Sequence, residues 1–185
     1  MYMKLAKPII GLTLICVIFS ALLGATYTIT KDTIDAATKA ATDAAMAAVL
    51  PGAGSFEEIT VDGVEGVLLA AKETGGLGYA FQVQDKGFGG AYVVMVGIGD
   101  DGKITGTQLL DNSETPGLGS KTGEASFTGQ FIGKDSALEG VETVTGATIS
   151  SNAFIRCIGT AYQAYGAVTG QSVDSTAGAT AEEEA

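Results

Sequence analysis

Two short stretches of this sequence combine hydroxyl, glycine and charged residues in patterns that could hold a ligand. The first, ETPGLGSK, runs from Glu114 to Lys121, and the second, VTGATISS, contains Thr148 at the end of a Gly-Ala-Thr triplet. Proline and glycine shape a loop and leave space beside its backbone, although an ordinary glycine turn has the same composition. A threonine hydroxyl behind small residues can be esterified to a phosphate, so Thr148 is a candidate attachment point.

The residues after Thr148 predict a helix from Ser150 to Val168, because apolar residues recur there at helical spacing. The predicted buried stripe consists of Phe154, Ile158, Ala161, Tyr162 and Tyr165. A helix N-terminus presents unpaired N–H groups and the positive end of a dipole, which suits a phosphate. The alternative is a simple cap, since Thr148, Ser150, Ser151 and Asn152 are all good capping residues. From the spacing alone, the cap is the commoner outcome.

Composition excludes several other classes of protein. The 185 residues contain no histidine, which argues against zinc sites and histidine-dependent hydrolases, and the net charge of −11 argues against nucleic acid as a partner. The two cysteines, Cys16 in an apolar run and Cys157 in the predicted helix, are not expected to pair. A hydrophobic content of 46% is compatible with one globular domain and its appendages.

Residues 8–27, PIIGLTLICVIFSALLGATY, carry no charge and predict a transmembrane helix. At about 1.5 Å per residue, such a segment spans roughly the 30 Å hydrocarbon layer. The alternative is a cleaved signal peptide, whose apolar core is usually shorter, about 7–15 residues. Lysines are equally numerous on the two sides of the segment, so their count does not decide the orientation. We expect the common arrangement, an N-terminal anchor followed by a translocated domain. Residues 1–7 are expected in the cytoplasm and the following domain outside it.

The remaining chain predicts an α+β fold with a mainly antiparallel sheet and packed helices. Residues 28–52 are interpreted as a helical connector, either a spacer or a helix whose apolar face packs on the domain, and residues 53–169 as the domain. Five runs predict an antiparallel meander: FEEITV, GVLLAAK, YAFQVQD, AYVVMVGIG and KITGTQLL. Residues 100–103 predict a hairpin turn, and GFGG at 87–90 indicates a bulge or close backbone approach. Residues 170–185 predict a disordered acidic tail.

Taken together, GFGGAYVVMVGIGDDGKITGTQLLDNSETPGLGSK and VETVTGATISS resemble the FMN-binding domain of the G subunit of the Rnf complex, a membrane-bound electron-transport assembly. The resemblance extends from the anchor to about Val168. The C subunit of the sodium-translocating NADH:quinone oxidoreductase is less closely similar. In the family of these FMN-binding domains, a flavin transferase attaches FMN through a phosphodiester to the last threonine of Asp-x-x-Ser/Thr-Gly-Ala-Thr. The resemblance therefore implies one covalent FMN on Thr148, with Glu142 in place of the motif's aspartate.

The resemblance also implies that the flavin ring lies against the ETPGLG loop, with no catalytic side chain and no metal. The expected cofactor-binding residues, besides Thr148, are Glu114, Thr115, Pro116, Gly117, Leu118, Gly119, Lys121, Thr145, Gly146, Ala147, Ser150 and Ser151. Relatives often carry a histidine before this loop, where this chain has Asn112 and Ser113, so no proton-handling role is carried over. The implied partners are the membrane, the flavin transferase and the other subunits of a complex that moves electrons between ferredoxin and NAD⁺ while pumping ions.

Two further Gly-Ala-Thr triplets end at Thr26 and Thr180, and both are poor candidates for attachment. Thr26 lies in the apolar segment, whereas Thr180 lacks the upstream hydroxyl residue and is followed by acidic residues. The sequence is also compatible with two other functions. The protein could be a membrane-tethered binding module without a cofactor, or a stand-alone extracytoplasmic flavin reductase.

Overall fold

The computed structural model describes residues 2–171, with side chains described from residue 9 onward. The described chain divides into two compact units, with the boundary between Asp43 and Ala44. The predicted acidic tail begins at Gly170, the C-cap of the last helix, and its residues 172–185 lie outside the described part of the chain.

The first unit is formed by most of helix α1, which runs from Tyr2 to Val49 without interruption. The stretch Ile9–Val49 is long and apolar enough to cross a membrane, with a mean hydropathy of 2.4 in its most apolar window. Threonine hydroxyls in this helix donate to carbonyl groups one turn earlier, as Thr13 does to Ile9 at 2.9 Å. Such bonds satisfy a hydroxyl within an apolar segment.

The second unit contains a five-stranded sheet whose strand order follows the chain. The strands are β1 (Phe56–Ile59), β2 (Val67–Glu73), β3 (Gly78–Lys86), β4 (Ala91–Gly99) and β5 (Ile104–Asn112). All neighbouring pairs are antiparallel, which confirms the predicted meander. The predicted hairpin turn joins β4 to β5, with Gly102 at a φ angle of 77°.

Following the sheet, the segment after β5 forms helix α2 (Ala125–Thr128) between two 3₁₀ helices, Gly119–Gly123 and Gly129–Phe131. Helix α3 (Thr148–Thr169) packs on one face of the sheet and buries the stripe that its spacing predicts. Aromatic rings join these elements, because Phe154 of α3 lies 5.4 Å from Phe127 and 5.1 Å from Phe131 between ring centroids. The start of α3 is therefore held by a rigid core.

The last turns of α1 pack on the opposite face of the sheet. Ala45, Met46 and Val49 are buried there against β2, β3 and β4. Thr105 donates a hydrogen bond to the Val49 carbonyl at 2.6 Å, and a Cβ on Gly97 would lie 2.3 Å from that same oxygen. Ala45 and Val49, the end of the connector's predicted apolar face, take part in this packing within the second unit.

A buried carboxylate ties the turn after α1 to the β2–β3 turn. Glu73 accepts hydrogen bonds from the N–H of Gly54 at 3.2 Å and the N–H of Leu77 at 3.0 Å. These backbone donors, led by Leu77, hold the pKa of the Glu73 carboxyl below its ordinary value of 4.5 against the opposing effect of burial. The ionised carboxylate therefore stabilises the fold.

We predict that Glu73→Gln lowers the melting temperature at neutral pH, because an amide oxygen is a weaker acceptor than a carboxylate. The folded pKa lies below the unfolded one, so the carboxylate's contribution is complete above about pH 4.5 and is lost as the pH falls through the folded pKa. Circular dichroism melts at several pH values should show the gap between wild type and variant closing in acid. Glu57→Gln, at an exposed position on β1, is the matched control. A gap equally wide at about pH 3 and about pH 7 would contradict the assignment.

Candidate functional site

A cavity of about 380 Å³ lies where three segments of the second unit meet. The segments are the β3–β4 loop, the loop that follows β5, and the start of α3. A cavity of this size falls within the range of small-molecule sites, about 300–1,000 Å³. Its lining residues are Phe88, Glu114, Thr115, Leu118, Gly119, Gly146, Ala147, Thr148, Ile149 and Ser150.

The β3–β4 loop lies against the loop after β5 with no room for a side chain at Gly87 or Gly89. A Cβ on Gly89 would lie 1.8 Å from the Ser113 carbonyl oxygen, and a Cβ on Gly87 would lie 2.1 Å from a carboxylate oxygen of Glu114. Close backbone approach, as predicted for GFGG, is confirmed. Phe88 stands between these two glycines at the edge of the cavity.

Glu114 connects all three segments through its side chain. One carboxylate oxygen accepts the Ser150 hydroxyl at 2.7 Å, and the other accepts the Gly89 N–H at 3.3 Å. The side chain is buried, with the residue only 8% exposed, and Gly119 lies so close that a Cβ there would be 2.5 Å from the carboxylate. Glu114 therefore fixes the β3–β4 loop and the ETPGLG loop against the first turn of α3.

A second polar network connects the ETPGLG loop to strand β4. Thr122 donates to the Gly119 carbonyl at 2.6 Å and is hydrogen-bonded to the hydroxyl of Tyr92 on β4. Burial raises the pKa of Tyr92 to about 12, so the phenol stays neutral at physiological pH. At the tip of the loop, the Gly117 N–H donates to the Ser120 hydroxyl at 2.9 Å. The loop thus has a defined shape at the cavity.

The start of α3 has no side-chain cap, and the expectation of a capped helix is wrong. The N-cap residue is Ala147, whose side chain cannot accept a hydrogen bond. Ser150 donates its hydroxyl to Glu114, and the Ser151 hydroxyl accepts the Val144 N–H at 3.0 Å, so two of the four candidate caps bond elsewhere. The first N–H groups of the helix have no side-chain acceptor from a cap, and Thr148 is exposed beside them. This end of α3 can accept an anion.

The segment that leads to Thr148 is fixed through its backbone. The Gln130 side chain donates to the Glu142 carbonyl at 3.2 Å and accepts the Glu142 N–H at 2.9 Å. The Glu142 side chain itself is exposed. Gly146 then turns the chain into the helix with a φ angle of 80°.

The structure brings most of the sequence-predicted residues to the cavity but not all of them. Five do not line it: Pro116, Gly117, Lys121, Thr145 and Ser151. Lys121 is exposed in the 3₁₀ helix Gly119–Gly123, so its charge lies outside the cavity wall.

Sequence reasoning missed two cavity residues, Phe88 and Ile149. Each had a readable signal. Phe88 is a large apolar residue among glycines in a loop, and Ile149 lies beside Thr148 but off the buried stripe of α3. A large apolar side chain without a place in the core, next to a candidate site, indicates a ligand contact.

The comparisons with known proteins agree with this geometry. Residues 87–163 match the family of FMN-binding domains, a span that includes all three cavity segments. The G subunit of the ion-translocating oxidoreductase complex of Methanosarcina acetivorans is 33% identical over 168 residues, covering 82% of this chain and 89% of the relative. The G subunit of the proton-translocating ferredoxin:NAD(+) oxidoreductase complex of Clostridium ljungdahlii is 29% identical, covering 86% and 91%.

A solved structure shows a more distant similarity. The C subunit of the Na(+)-translocating NADH-quinone reductase of Parabacteroides distasonis has a TM-score of 0.45 and 20% identity, covering 58% of this chain and 63% of its own. The relative from Methanosarcina acetivorans decides the family, because its 33% identity extends over 89% of its length. The chain belongs to the family of FMN-binding G subunits of Rnf ion-translocating electron-transport complexes.

We predict that Glu114→Ala destabilises the second unit by about 2 kcal/mol, because it leaves a buried hydroxyl and a backbone N–H without their charged acceptor. Denaturant unfolding followed by near-ultraviolet circular dichroism measures the loss. Glu65→Ala, at an exposed position in the β1–β2 connection, should change stability little and is the control. Equal stability of the two variants would show that Glu114 does not hold the segments together.

Proposed function

We propose that this protein carries FMN esterified to Thr148 and relays electrons through it within a membrane-bound ion-translocating oxidoreductase complex. The observation that carries the proposal is the exposed Thr148 at the uncapped N-terminus of α3, opening on the cavity. Membership in the family of Rnf G subunits and the match to an FMN-binding domain support the identity of the cofactor.

The residues present fit a flavin nucleotide. The N–H groups at the start of α3, which have no side-chain cap, suit the phosphate, and the cavity beside them is lined mainly by apolar and small residues. Bound FMN supplies the redox chemistry, and the protein supplies its position and surroundings. In this proposal Thr148 is the tether, the Glu114 network fixes the cavity walls, and no side chain of the chain acts on a substrate.

The maturation enzyme of the proposal is a flavin transferase that acts on the segment from Glu142 to Thr148. The exposure of both residues supports this role, since a second protein must reach them. Helix α1 is the membrane anchor, with the short N-terminal segment in the cytoplasm and the cavity on the extracytoplasmic side. Covalent attachment suits such a location, because a cofactor lost outside the cell is not easily replaced. The partners are the other subunits of the complex.

The two competing functions predict different behaviour. A binding module without cofactor explains neither the missing cap on α3 nor the exposed threonine at the cavity. A stand-alone reductase should reduce a soluble acceptor by itself, whereas a relay protein needs the rest of its complex. Purified protein that turns over a soluble acceptor at the rate of the whole complex would favour the reductase.

We predict that Thr148→Ala abolishes FMN attachment when the chain is produced together with a flavin transferase. Intact-mass measurement and in-gel flavin fluorescence after denaturation detect the attached cofactor. Thr26→Ala and Thr180→Ala are the controls and should keep it. Thr26 is an interior residue of α1 whose hydroxyl donates to the Leu22 carbonyl at 2.9 Å, and Thr180 lies outside the described residues. FMN retained on the Thr148 variant would refute the assignment.

A second prediction concerns the acidic position of the attachment motif. Glu142→Gln should slow FMN attachment without lowering the melting temperature, because Gln130 holds only the backbone of this residue and its side chain is exposed. Time courses of fluorescence incorporation with a limiting amount of transferase measure the rate. Glu139→Gln, three positions earlier and also exposed, is the matched control. A parallel loss of folded protein in Glu142→Gln would argue for a structural role instead.

A further inference from the structure

Three large apolar side chains are exposed around the cavity, and each comes from a different segment. Phe88 of the β3–β4 loop is 70% exposed, Leu118 of the ETPGLG loop 48%, and Ile149 of α3 54%. A single exposed apolar residue is ordinary on a protein surface, but three that share one cavity indicate a binding surface. We call these three residues the apolar rim.

The fold itself does not use the apolar rim. None of the three residues belongs to the hydrophobic cluster on either face of the sheet. The fold nevertheless fixes where Phe88 lies, because its two glycine neighbours press against the segment Ser113–Glu114. The Gly87 N–H also donates to the Gly90 carbonyl at 2.8 Å, which closes the loop on itself. A loop held this closely keeps a phenyl ring at the cavity edge despite its exposure.

The position of Thr148 indicates which chemical group the apolar rim contacts. Thr148 lines the same cavity and precedes Ile149 in the chain, so any group esterified to its hydroxyl is confined beside these side chains. Two polar groups of the cavity wall, Glu114 and Ser150, bond to each other at 2.7 Å, which leaves the Thr115 and Thr148 hydroxyls as the other polar side-chain groups of the lining. A flat aromatic ring system is the occupant that phenyl and branched aliphatic side chains cover best, since both apolar burial and ring contact favour it.

We propose that Phe88 and Ile149, together with Leu118, pack on the isoalloxazine ring of the FMN tethered to Thr148 and shield it from water. The inference rests on the proposed function and adds two residues and a role to it. The rim sets how far solvent and soluble oxidants reach the ring, which favours electron transfer to docked partners over loss to small molecules.

Quenching of flavin fluorescence by iodide tests the rim on the full-length, flavinylated protein in detergent. Iodide reaches only solvent-exposed flavin, so Phe88→Ser and Ile149→Ser should each raise the Stern–Volmer constant at least about twofold if these side chains cover the ring. The matched control is Ile132→Ser, because Ile132 is 59% exposed and does not line the cavity. Its quenching should equal that of the wild type.

Intact mass separates failure of this inference from failure of the proposed function. A wild-type chain without FMN on Thr148 overturns the function. If Phe88→Ser carries attached FMN and its Stern–Volmer constant equals that of the wild type, the assignment of the rim is wrong. The Phe88 variant is decisive because Phe88, unlike Ile149, does not lie next to the attachment point in the chain. Wild-type quenching combined with lost assembly into the complex also overturns it, since the same side chains would then form a protein-docking surface.

Discussion

The buried carboxylate of Glu114 is the constraint on which the rest of the site depends. It lies at the meeting point of three segments that are far apart in the sequence, and it bonds to two of them while belonging to the third. Three glycines make its position possible, because a side chain at Gly87 or Gly119 would collide with the carboxylate and one at Gly89 with the Ser113 carbonyl. A charge in such a place is tolerated only with its hydrogen bonds made. The glycines and the acid are therefore one structural unit.

This unit also engages the first turn of α3, whose N-cap residue, Ala147, has no side-chain acceptor. The sequence supplies hydroxyl residues in the first turn, but Ser150 bonds to Glu114 and Ser151 fixes the Val144 backbone. Both hydroxyls hold neighbouring segments in place, and no side chain caps the N–H groups at the start of the helix. A helix end left in this way is less stable by itself, and a bound anion would compensate for the missing cap. The same bonds that build the cavity thus leave a place for a phosphate beside it.

Much of the fold could be predicted because its signals are local. The five strand runs, the turn at Gly102 and the stripe of α3 follow from periodicity and from glycine's freedom at positive φ. The missing cap could not be predicted, because the helix begins with Ala147 as its N-cap and the candidate Ser150 instead bonds to Glu114, 36 positions earlier. The segment between β5 and α3 shows no clear period, and its short helices are held by rings such as Phe127 and Phe131. The glycine loop has a local signal in the isolated apolar residue Phe88, but its contacts with Ser113 and Glu114 are distant in the sequence and could not be predicted.

The exposure of the proposed attachment segment, residues 142–148, and the burial of its supports have different causes. A residue modified by another enzyme must be reachable in the folded protein, and Thr148 and Glu142 are exposed. The segment is held at two points, by the Gln130 side chain on the Glu142 backbone and by the buried Ser151 on the Val144 N–H, so it presents a fixed shape. A rigid acceptor loses little conformational entropy when a transferase binds it. In the proposed function the apolar rim covers the ring of the attached FMN but leaves the acceptor segment open, so a site open enough for modification still shields its product.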